Sequence, residues 1–263
     1  MTESTVLMDV RNNVATLTLN RSEALNAVND AMGKALCHFL RQCEDPAIRC
    51  VVLTGAGKAF SVGGDLREMS GAPDAAGIEA SFRKLLESMN EAVLSIRNLD
   101  KPVIAALNGT AAGVGLNLAL MCDLRVASEK AKFTQAFLGV GLVPDGGGAF
   151  SLPRLVGSAK ALELLWLNRV LNAQEALSLG LVNKVVPAET FSQTVEDWAS
   201  QLARGPRNAF ALTKSLVYEG LLTEDLAQHL KKEARAQIES SQTPDFREGV
   251  RAFLEKRSPK FQG

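Results

Sequence analysis

The sequence predicts an α/β fold, and three observations predict it. The N-terminal half alternates strand patterns with helical patterns, glycines cluster where predicted strands end, and the pattern beyond Pro206 is helical. Hydrophobic residues make up 46% of the 263 residues, so the chain can bury a large core. We therefore expect a core domain over residues 1–205 and a helical C-terminal subdomain over residues 206–263.

The first predicted elements are a strand, a helix and a second strand. The segment VATLTL, residues 14–19, has the β-branched alternation that is typical of a half-buried strand. Asn29 or Asp30 can cap a helix that reaches about Cys43. The apolar run RCVVLTG then predicts a buried strand that ends at Gly55.

A loop, a long helix and another strand follow. Small and turn-forming residues from Leu66 to Gly77 predict a mobile surface loop. A helical pattern from about Ile78 to Arg97 leads to Pro102, after which VIAAL predicts a core strand. Three further helices are predicted in the C-terminal part, over Asn208–Tyr218, Thr223–Ser241 and Asp245–Lys256, the second with acidic Glu224 and Asp225 at its start.

The charge balance and the cysteines exclude several classes of function. With 29 basic and 29 acidic side chains, no net field attracts nucleic acid or an anionic membrane. The four cysteines show no metal-ligand spacing, so we expect buried thiols and no metal site.

The start MTESTVLMDV shows no targeting signal, which makes the cytoplasm the expected location. Val103 to Cys122 carries no charge, but its Gly and Asn residues favour a buried strand, turn and helix over a membrane span.

The first glycine-rich turn, GAGKAFSVGGDL, spans residues 55–66. A phosphate-binding Walker loop needs a glycine where Val52 stands and a Ser or Thr where Ala59 stands, so that interpretation fails. The glycines at 63 and 64 allow a backbone amide to face a ligand. A plain tight turn is the alternative.

The second glycine-rich turn, NGTAAGVGLNLAL, spans residues 108–120 and passes from a strand into an apolar helix. The first turn of a helix presents unpaired amides and the positive end of the helix dipole. An amide near Val114 can therefore stabilise negative charge on a carbonyl oxygen. Close packing of the helix explains Gly113 and Gly115 equally well.

The third segment, FTQAFLGVGLVPDGGGAFSLPRLVG, places Asp145 before three glycines and a helical pattern. A carboxylate in this position is usually a helix cap. Its apolar neighbours can instead desolvate it enough to make it a base. His38 and His229 stand beside no nucleophile motif, so we assign them surface or packing roles.

Four motifs in this order, GKAFSVGGDL, KPVIAALNGTAAGVGLNLALMCDLRVAS, GLVPDGGGAFSLPRLVG and EGVRAFLEKRSPKF, resemble the crotonase superfamily, the enoyl-CoA hydratase/isomerase family. The resemblance covers nearly the whole chain. It implies a ClpP-like spiral of repeated strand-strand-helix units, with C-terminal helices that form a homotrimer or a dimer of trimers. It also implies an acyl-CoA thioester as substrate, with no separate cofactor.

The resemblance implies roles for individual residues. In the family two backbone amides form the oxyanion hole, and the matching residues here are Gly64 and Val114. Matching contacts to the CoA substrate fall on Lys58, Val62 and Gly113, and on Lys256, which in the family can reach CoA bound to a neighbouring subunit.

One departure from the family pattern concerns the hydration chemistry. Crotonase-like hydratases use two glutamates to handle water, and the matching residues here are Asn117 and Phe137 at the acyl site. An amide is no base, and phenylalanine excludes the water that hydration needs. Asp145 matches an aspartate of members that resemble ring-1,2-epoxyphenylacetyl-CoA isomerase and 3-enoyl to 2-enoyl-CoA isomerases, so an enoyl-CoA isomerase with Asp145 as acid and base is predicted.

Three alternatives remain open at this point. The first is an enoyl-CoA hydratase that uses unusual groups, and the second is an acyl-CoA-binding homologue without catalysis. The third resembles 4-chlorobenzoyl-CoA dehalogenase, in which the aspartate is a nucleophile, but the positions of its histidine and tryptophan partners hold Asn90 and Phe137. The acyl group itself is not specified; we expect its selection by the segment after Asp65 and by Phe82, Leu86 and Phe137.

Overall fold

The computed structural model describes residues 4–223 and 225–262, and within them the strands form two sheets. The larger sheet contains, in spatial order, β1 (Val6–Arg11), β2 (Val14–Leu19), β3 (Cys50–Gly55), β5 (Val103–Leu107), β7 (Leu124–Ser128) and β10 (Lys184–Val186). The smaller sheet contains β4 (Ala59–Ser61), β6 (Thr110–Ala112), β8 (Lys132–Thr134) and β9 (Leu171–Asn172). The β1–β2 and β8–β9 pairs are antiparallel, and the other neighbours are parallel.

Helices connect these strands. They are α1 (Asp30–Gln42), α2 (Leu66–Ser70), α3 (Ala75–Asn98), α4 (Gly113–Met121), α5 (Gly148–Val156), α6 (Ser158–Trp166), α7 (Ala173–Ser178) and α8 (Phe191–Ala203). The side chain of Asn29 caps α1 by accepting a hydrogen bond from the amide of Met32 at 3.0 Å. Of the two residues that the sequence offers as caps, Asn29 is therefore the one used.

The two faces of the larger sheet bury two separate apolar clusters. On β3, Val51 and Leu53 point into the main core beneath α1 and α3, whereas Val52 points into a smaller cluster under α8. This alternation follows from the period of two along a strand. All four cysteines are free and buried, as expected, and burial raises the pKa of the Cys43 thiol to about 11. The mixed α/β fold with parallel strands is as the sequence predicts.

The expected loop from Leu66 to Gly77 is wrong over most of its length. Leu66–Ser70 forms α2, and α3 begins at Ala75, earlier than the pattern of apolar residues indicates. The physical reason is capping, because the side chains of Asp65 and Asp74 accept hydrogen bonds from amides in the first turns of these two helices. Only the short connection between α2 and α3 is irregular.

The uncharged stretch Val103–Cys122 divides into β5, β6 and α4, and every residue of α4 is buried within the protein. The predicted strand, turn and helix are therefore confirmed. Over the described ranges, the structure has no helix with both the length and the apolar character that crossing a membrane would need.

The C-terminal part consists of α9 (Arg207–Gly220), α10 (Leu226–Ser241) and α11 (Pro244–Leu254). Asp225 caps α10, whereas Glu224 lies outside the described residues. The helix α9 is joined to the core through Asp123, whose carboxylate accepts hydrogen bonds from Lys214 Nζ at 3.0 Å and from the Tyr218 hydroxyl at 2.7 Å. The division of the chain at residues 205 and 206 stays a prediction.

Candidate active site

The two glycine-rich turns lie side by side because they follow neighbouring strands. The strands β4 and β6 are parallel, with Ala59 opposite Thr110 and Ser61 opposite Ala111. The chain continues from β4 directly into Val62 and the two glycines at 63 and 64, and from β6 directly into α4. Since the carboxyl ends of parallel strands meet at one edge of a sheet, the two turns occupy the same edge.

The backbones of the two turns are in contact at Gly63 and Gly113. A Cβ atom added to Gly63 would lie 3.2 Å from the carbonyl oxygen of Ala112 and 3.5 Å from Gly113 Cα. Both glycines have positive φ angles, 98° and 51°, which side chains other than glycine adopt at a cost. Glycine at both positions therefore allows the turns to approach each other.

Two backbone amides at this edge are candidates to meet a ligand. Val28 makes its parallel bridge through the Gly63 carbonyl (2.7 Å) and the Asp65 amide (2.8 Å), which leaves the Gly64 amide directed away from that strand. Val114 is the second residue of α4, so its amide precedes the first intrahelical hydrogen bonds. The helix dipole adds positive potential at this end, so the arrangement suits a developing oxyanion.

The first turn is held by an ion pair. Arg21 Nη2 donates a hydrogen bond to Asp65 Oδ2 at 2.8 Å, and Arg21 Nη1 donates to the carbonyl oxygen of Ala27 at 2.6 Å. Although burial acts to raise the pKa of the Asp65 carboxyl, hydrogen bonds from Arg21 and from amides of α2 lower it below the ordinary value. Asp65 thus stays ionised and fixes the chain directly after Gly64.

Asp145 lies on a loop that packs against the start of α4. A Cβ atom added to the next residue, Gly146, would lie 2.8 Å from Val114 Cγ2, so the loop and the second turn are in close contact. The Oδ1 atom of Asp145 is buried and has no hydrogen-bond partner within the described part of the chain. Burial raises the pKa of this carboxyl from 3.8 to about 6, against a small opposing effect of its own backbone amide.

Asp145 is not the cap of the following helix. The helix α5 begins at Gly148, its N-cap residue is Gly147 with φ of 79°, and no side chain caps it. The Gly148 amide is instead bonded to the backbone carbonyl oxygen of Asp145 at 2.9 Å. The capping alternative that the sequence left open is therefore wrong, and the carboxyl group is available for another role.

Asn117 and Phe137, which the resemblance matches to the two glutamates of hydratases, are both in the interior. Asn117 is 0% exposed; its Nδ2 donates to the Asp145 carbonyl oxygen at 2.8 Å, and its Oδ1 accepts from Gln135 Nε2 at 3.1 Å. Phe137 is 8% exposed, and its ring lies beside Gly113. The sequence reasoning missed Gln135, for which the only signal was a polar residue in the apolar segment FTQAF.

The residues matched to CoA contacts divide between two regions. Lys58 is exposed and lies directly before β4, whereas Val62 is half-buried and lies directly after β4, two residues before Gly64. Lys256 is exposed and follows α11, where its amide donates to the carbonyl oxygen of Phe253 at 3.2 Å. Lys256 therefore lies at the end of the C-terminal helices, and within the part of the chain that the structure describes it makes no hydrogen bond to the two turns.

Comparisons with known proteins agree with this architecture. The family model described as enoyl-CoA hydratase/isomerase matches residues 9–263. The chain is 41% identical to 1,2-epoxyphenylacetyl-CoA isomerase of Escherichia coli, with 98% of each chain covered. It is 37% identical to trans-2-decenoyl-[acyl-carrier-protein] isomerase of Streptococcus mutans, again with 98% of each covered.

A solved structure of an enoyl-CoA hydratase has the same fold as this chain. The crystal structure of enoyl-CoA hydratase from Bacillus anthracis superposes with a TM-score of 0.92 at 35% identity, over 98% of this chain and 99% of that one. The resemblance that the four motifs carry, and the crotonase fold that it implies, are thereby confirmed. The chain belongs to the enoyl-CoA hydratase/isomerase family and is an acyl-CoA enzyme of that family.

Proposed function

We propose that this enzyme is an enoyl-CoA isomerase that moves a double bond from the 3-position to the 2-position of an acyl-CoA, with Asp145 as its acid and base. The observation that carries the proposal is the Asp145 carboxyl. One of its oxygens is buried and has no hydrogen-bond partner among the residues that the structure describes, its pKa is about 6, and it lies on a loop packed against Val114. A carboxyl that is half ionised near pH 6 can both take and return a proton.

In the proposed reaction the Asp145 carboxylate removes a proton from C2 of a 3-enoyl-CoA. The electron pair of that C–H bond moves toward the thioester, and the resulting dienolate oxygen is held by the amides of Gly64 and Val114. The Asp145 carboxylic acid then gives a proton to C4, the C2–C3 double bond forms, and the carboxylate is restored. The reaction consumes no water and needs no redox partner.

The groups around Asp145 favour this reaction over its alternatives. Hydration needs a polar group to hold the water, but both ends of the Asn117 amide already bond protein groups, and Phe137 is an apolar wall. Dehalogenation by an aspartate nucleophile would need a histidine and a tryptophan, and Asn90 and Phe137 stand at the matching positions.

The names of the relatives support both isomerisation and hydration. Two of the relatives described above are called isomerases, while others are called hydratases, including a crotonyl-CoA hydratase of Syntrophomonas wolfei. The choice between the two reactions therefore rests on the side chains near the two turns.

We also propose a homotrimer or a dimer of trimers, supported by apolar side chains of the C-terminal helices that are exposed in the single chain, such as Ile238, Phe253 and Leu254.

A paired assay tests the proposed reaction. The purified protein is given a 3-enoyl-CoA and, separately, crotonyl-CoA, and both products are quantified by chromatography. We expect isomerisation to exceed hydration by about 100-fold or more in kcat/KM, because a missing acid or base for the water costs roughly that factor. Faster hydration would make the protein a hydratase, and tight binding of both substrates without turnover would make it a non-catalytic homologue.

A further inference from the structure

Asn117 is a polar residue in a helix that is otherwise apolar or glycine. The sequence of α4 is GVGLNLALM, and all nine residues are buried. Burying an amide costs free energy unless its polar atoms are hydrogen-bonded, and both polar atoms of Asn117 are bonded to protein groups. Its side chain is therefore held on both sides by protein groups.

The loop that carries Asp145 is shaped to rest on this amide. A Cβ atom added to Gly148 would lie 2.2 Å from Asn117 Nδ2, and one added to Gly146 would lie 3.6 Å from Asn117 Cβ. Any side chain at Gly148 would displace the amide. The glycines bring the backbone of the loop close enough for Asn117 to hold the Asp145 carbonyl oxygen at 2.8 Å.

Gln135 supports the side of the Asn117 amide that faces away from Asp145. The Asp145 carbonyl can only accept, so Asn117 must present Nδ2 to it and Oδ1 to the other side. Gln135, which is 2% exposed, supplies the donor that Oδ1 needs, at 3.1 Å. A flipped Asn117 amide would place oxygen against oxygen at Asp145 and an N–H group against an N–H group at Gln135.

We propose that Asn117 is a positioning residue, directed by Gln135, that holds the backbone of Asp145 so that the carboxyl stays in its dry position beside the start of α4. The proposal rests on the proposed function of Asp145. In this role Asn117 acts through the backbone carbonyl of Asp145, and the substrate contact that the family resemblance implies for Asn117 stays a separate prediction.

The substitution Asn117→Leu tests the proposal, because leucine keeps the number and branching of the side-chain heavy atoms and removes both hydrogen bonds. Misplacing a catalytic group by about 1 Å costs roughly 100-fold, so we expect kcat for isomerisation to fall by about that factor while KM stays within about threefold. The midpoint of the pH profile of kcat/KM, which reports the free enzyme, should move from about 6 toward the ordinary aspartate value of about 4, because a loosened loop admits water to the carboxyl.

Val126→Ala is the control for a merely structural effect. Val126 is fully buried in β7 but belongs to the cluster on the opposite face of the larger sheet. This variant should lower the melting temperature and leave kcat and the pH midpoint unchanged. If Asn117→Leu behaves like Val126→Ala, with only the melting temperature reduced, the proposal is wrong.

Two further variants make the result decisive. If Asn117→Leu does not fold, Gln135→Met provides the test: a smaller fall in kcat with the same downward movement of the midpoint supports the proposal, and an unchanged midpoint overturns it.

The Asp145→Asn variant distinguishes a failure of the positioning role from a failure of the proposed function. If the Asp145→Asn enzyme is active, the proposed function of Asp145 is wrong. If the Asp145→Asn enzyme is inactive but the Asn117→Leu enzyme has the kcat and pH midpoint of the parent, only the positioning role of Asn117 is wrong.

Discussion

Replacing Asp145 with asparagine is expected to lower kcat for 3-enoyl-CoA isomerisation by about 1,000-fold, within the range of about 10² to 10⁴ for loss of a general acid or base. Asparagine keeps the shape of the side chain but cannot exchange a proton. The amides of Gly64 and Val114 are untouched, so KM and the affinity for CoA should stay within about threefold of the parent enzyme. Steady-state kinetics and calorimetric titration with CoA measure these quantities.

The same substitution should stabilise the folded protein at neutral pH. Folding raises the pKa of Asp145 from 3.8 to about 6, so the folded state favours the protonated carboxyl. The cost to stability is absent below about pH 4, grows as the pH rises through 6, and reaches about 2–3 kcal/mol above it. We therefore expect Asp145→Asn to melt at a higher temperature than the parent at pH 7.5 but not at pH 4. Activity and stability that fall together would instead indicate a structural role.

The second large effect is expected from Val114→Pro, which removes one oxyanion donor. Proline is tolerated in the first turn of a helix, where its missing amide breaks no intrahelical hydrogen bond. Loss of one such donor costs about 3–4 kcal/mol in the transition state, so kcat should fall by roughly 10²- to 10³-fold. Circular dichroism and the melting temperature verify that α4 still forms.

Ala227→Pro is the matched control for this variant. Ala227 is exposed and is the second residue of α10, as Val114 is the second residue of α4. We expect its kcat to equal that of the parent. A Val114→Pro enzyme that keeps kcat within about threefold would show that this amide does not hold the oxyanion, since a lost donor costs much more.

Much of this site can be predicted from the sequence because its main features are local. The strands β3 and β5 have clear apolar runs, and glycines at 63 and 113 indicate backbone that needs positive φ or close approach, whereas the short strands β4 and β6 that lead into the turns were not predicted. Both turns therefore appear in the sequence as strand ends followed by unpaired amides. The family resemblance implied only that the amides of Gly64 and Val114 act together, and the parallel pairing of β4 with β6, which brings the two turns to one edge, is a finding of the structure.

The role of the Asp145 side chain could not be read from its position before a helix. Asp145 is followed by Gly146 and Gly147, whose φ angles are 53° and 79°, and these turn the chain so that α5 begins only at Gly148. The carboxyl is thereby directed away from the helix amides that it would otherwise cap. Glycine permits many backbone paths, so the sequence alone leaves this direction undetermined.

The contact between Asn117 and Gln135 was also beyond sequence reasoning, for a different reason. The two residues are 18 positions apart and come from α4 and from the end of β8, so their meeting depends on how the helix packs on the smaller sheet. No local pattern encodes such a contact. The helix α2, in contrast, had a local signal in its cap Asp65, which the many small residues after it obscured.

The measurement that tests one-base isomerisation most directly is the pH dependence of kcat/KM for a 3-enoyl-CoA, from pH 4.5 to 8, in the parent and in Asp145→Asn. Because kcat/KM reports the ionisation of the free enzyme, we expect the parent rate to rise with pH through a single midpoint near 6, as the carboxyl becomes a base. The asparagine variant should show a low rate without this rise. A parent profile that is flat or falls across this range, or the same rise in the asparagine variant, would contradict the assignment of Asp145 as the catalytic base.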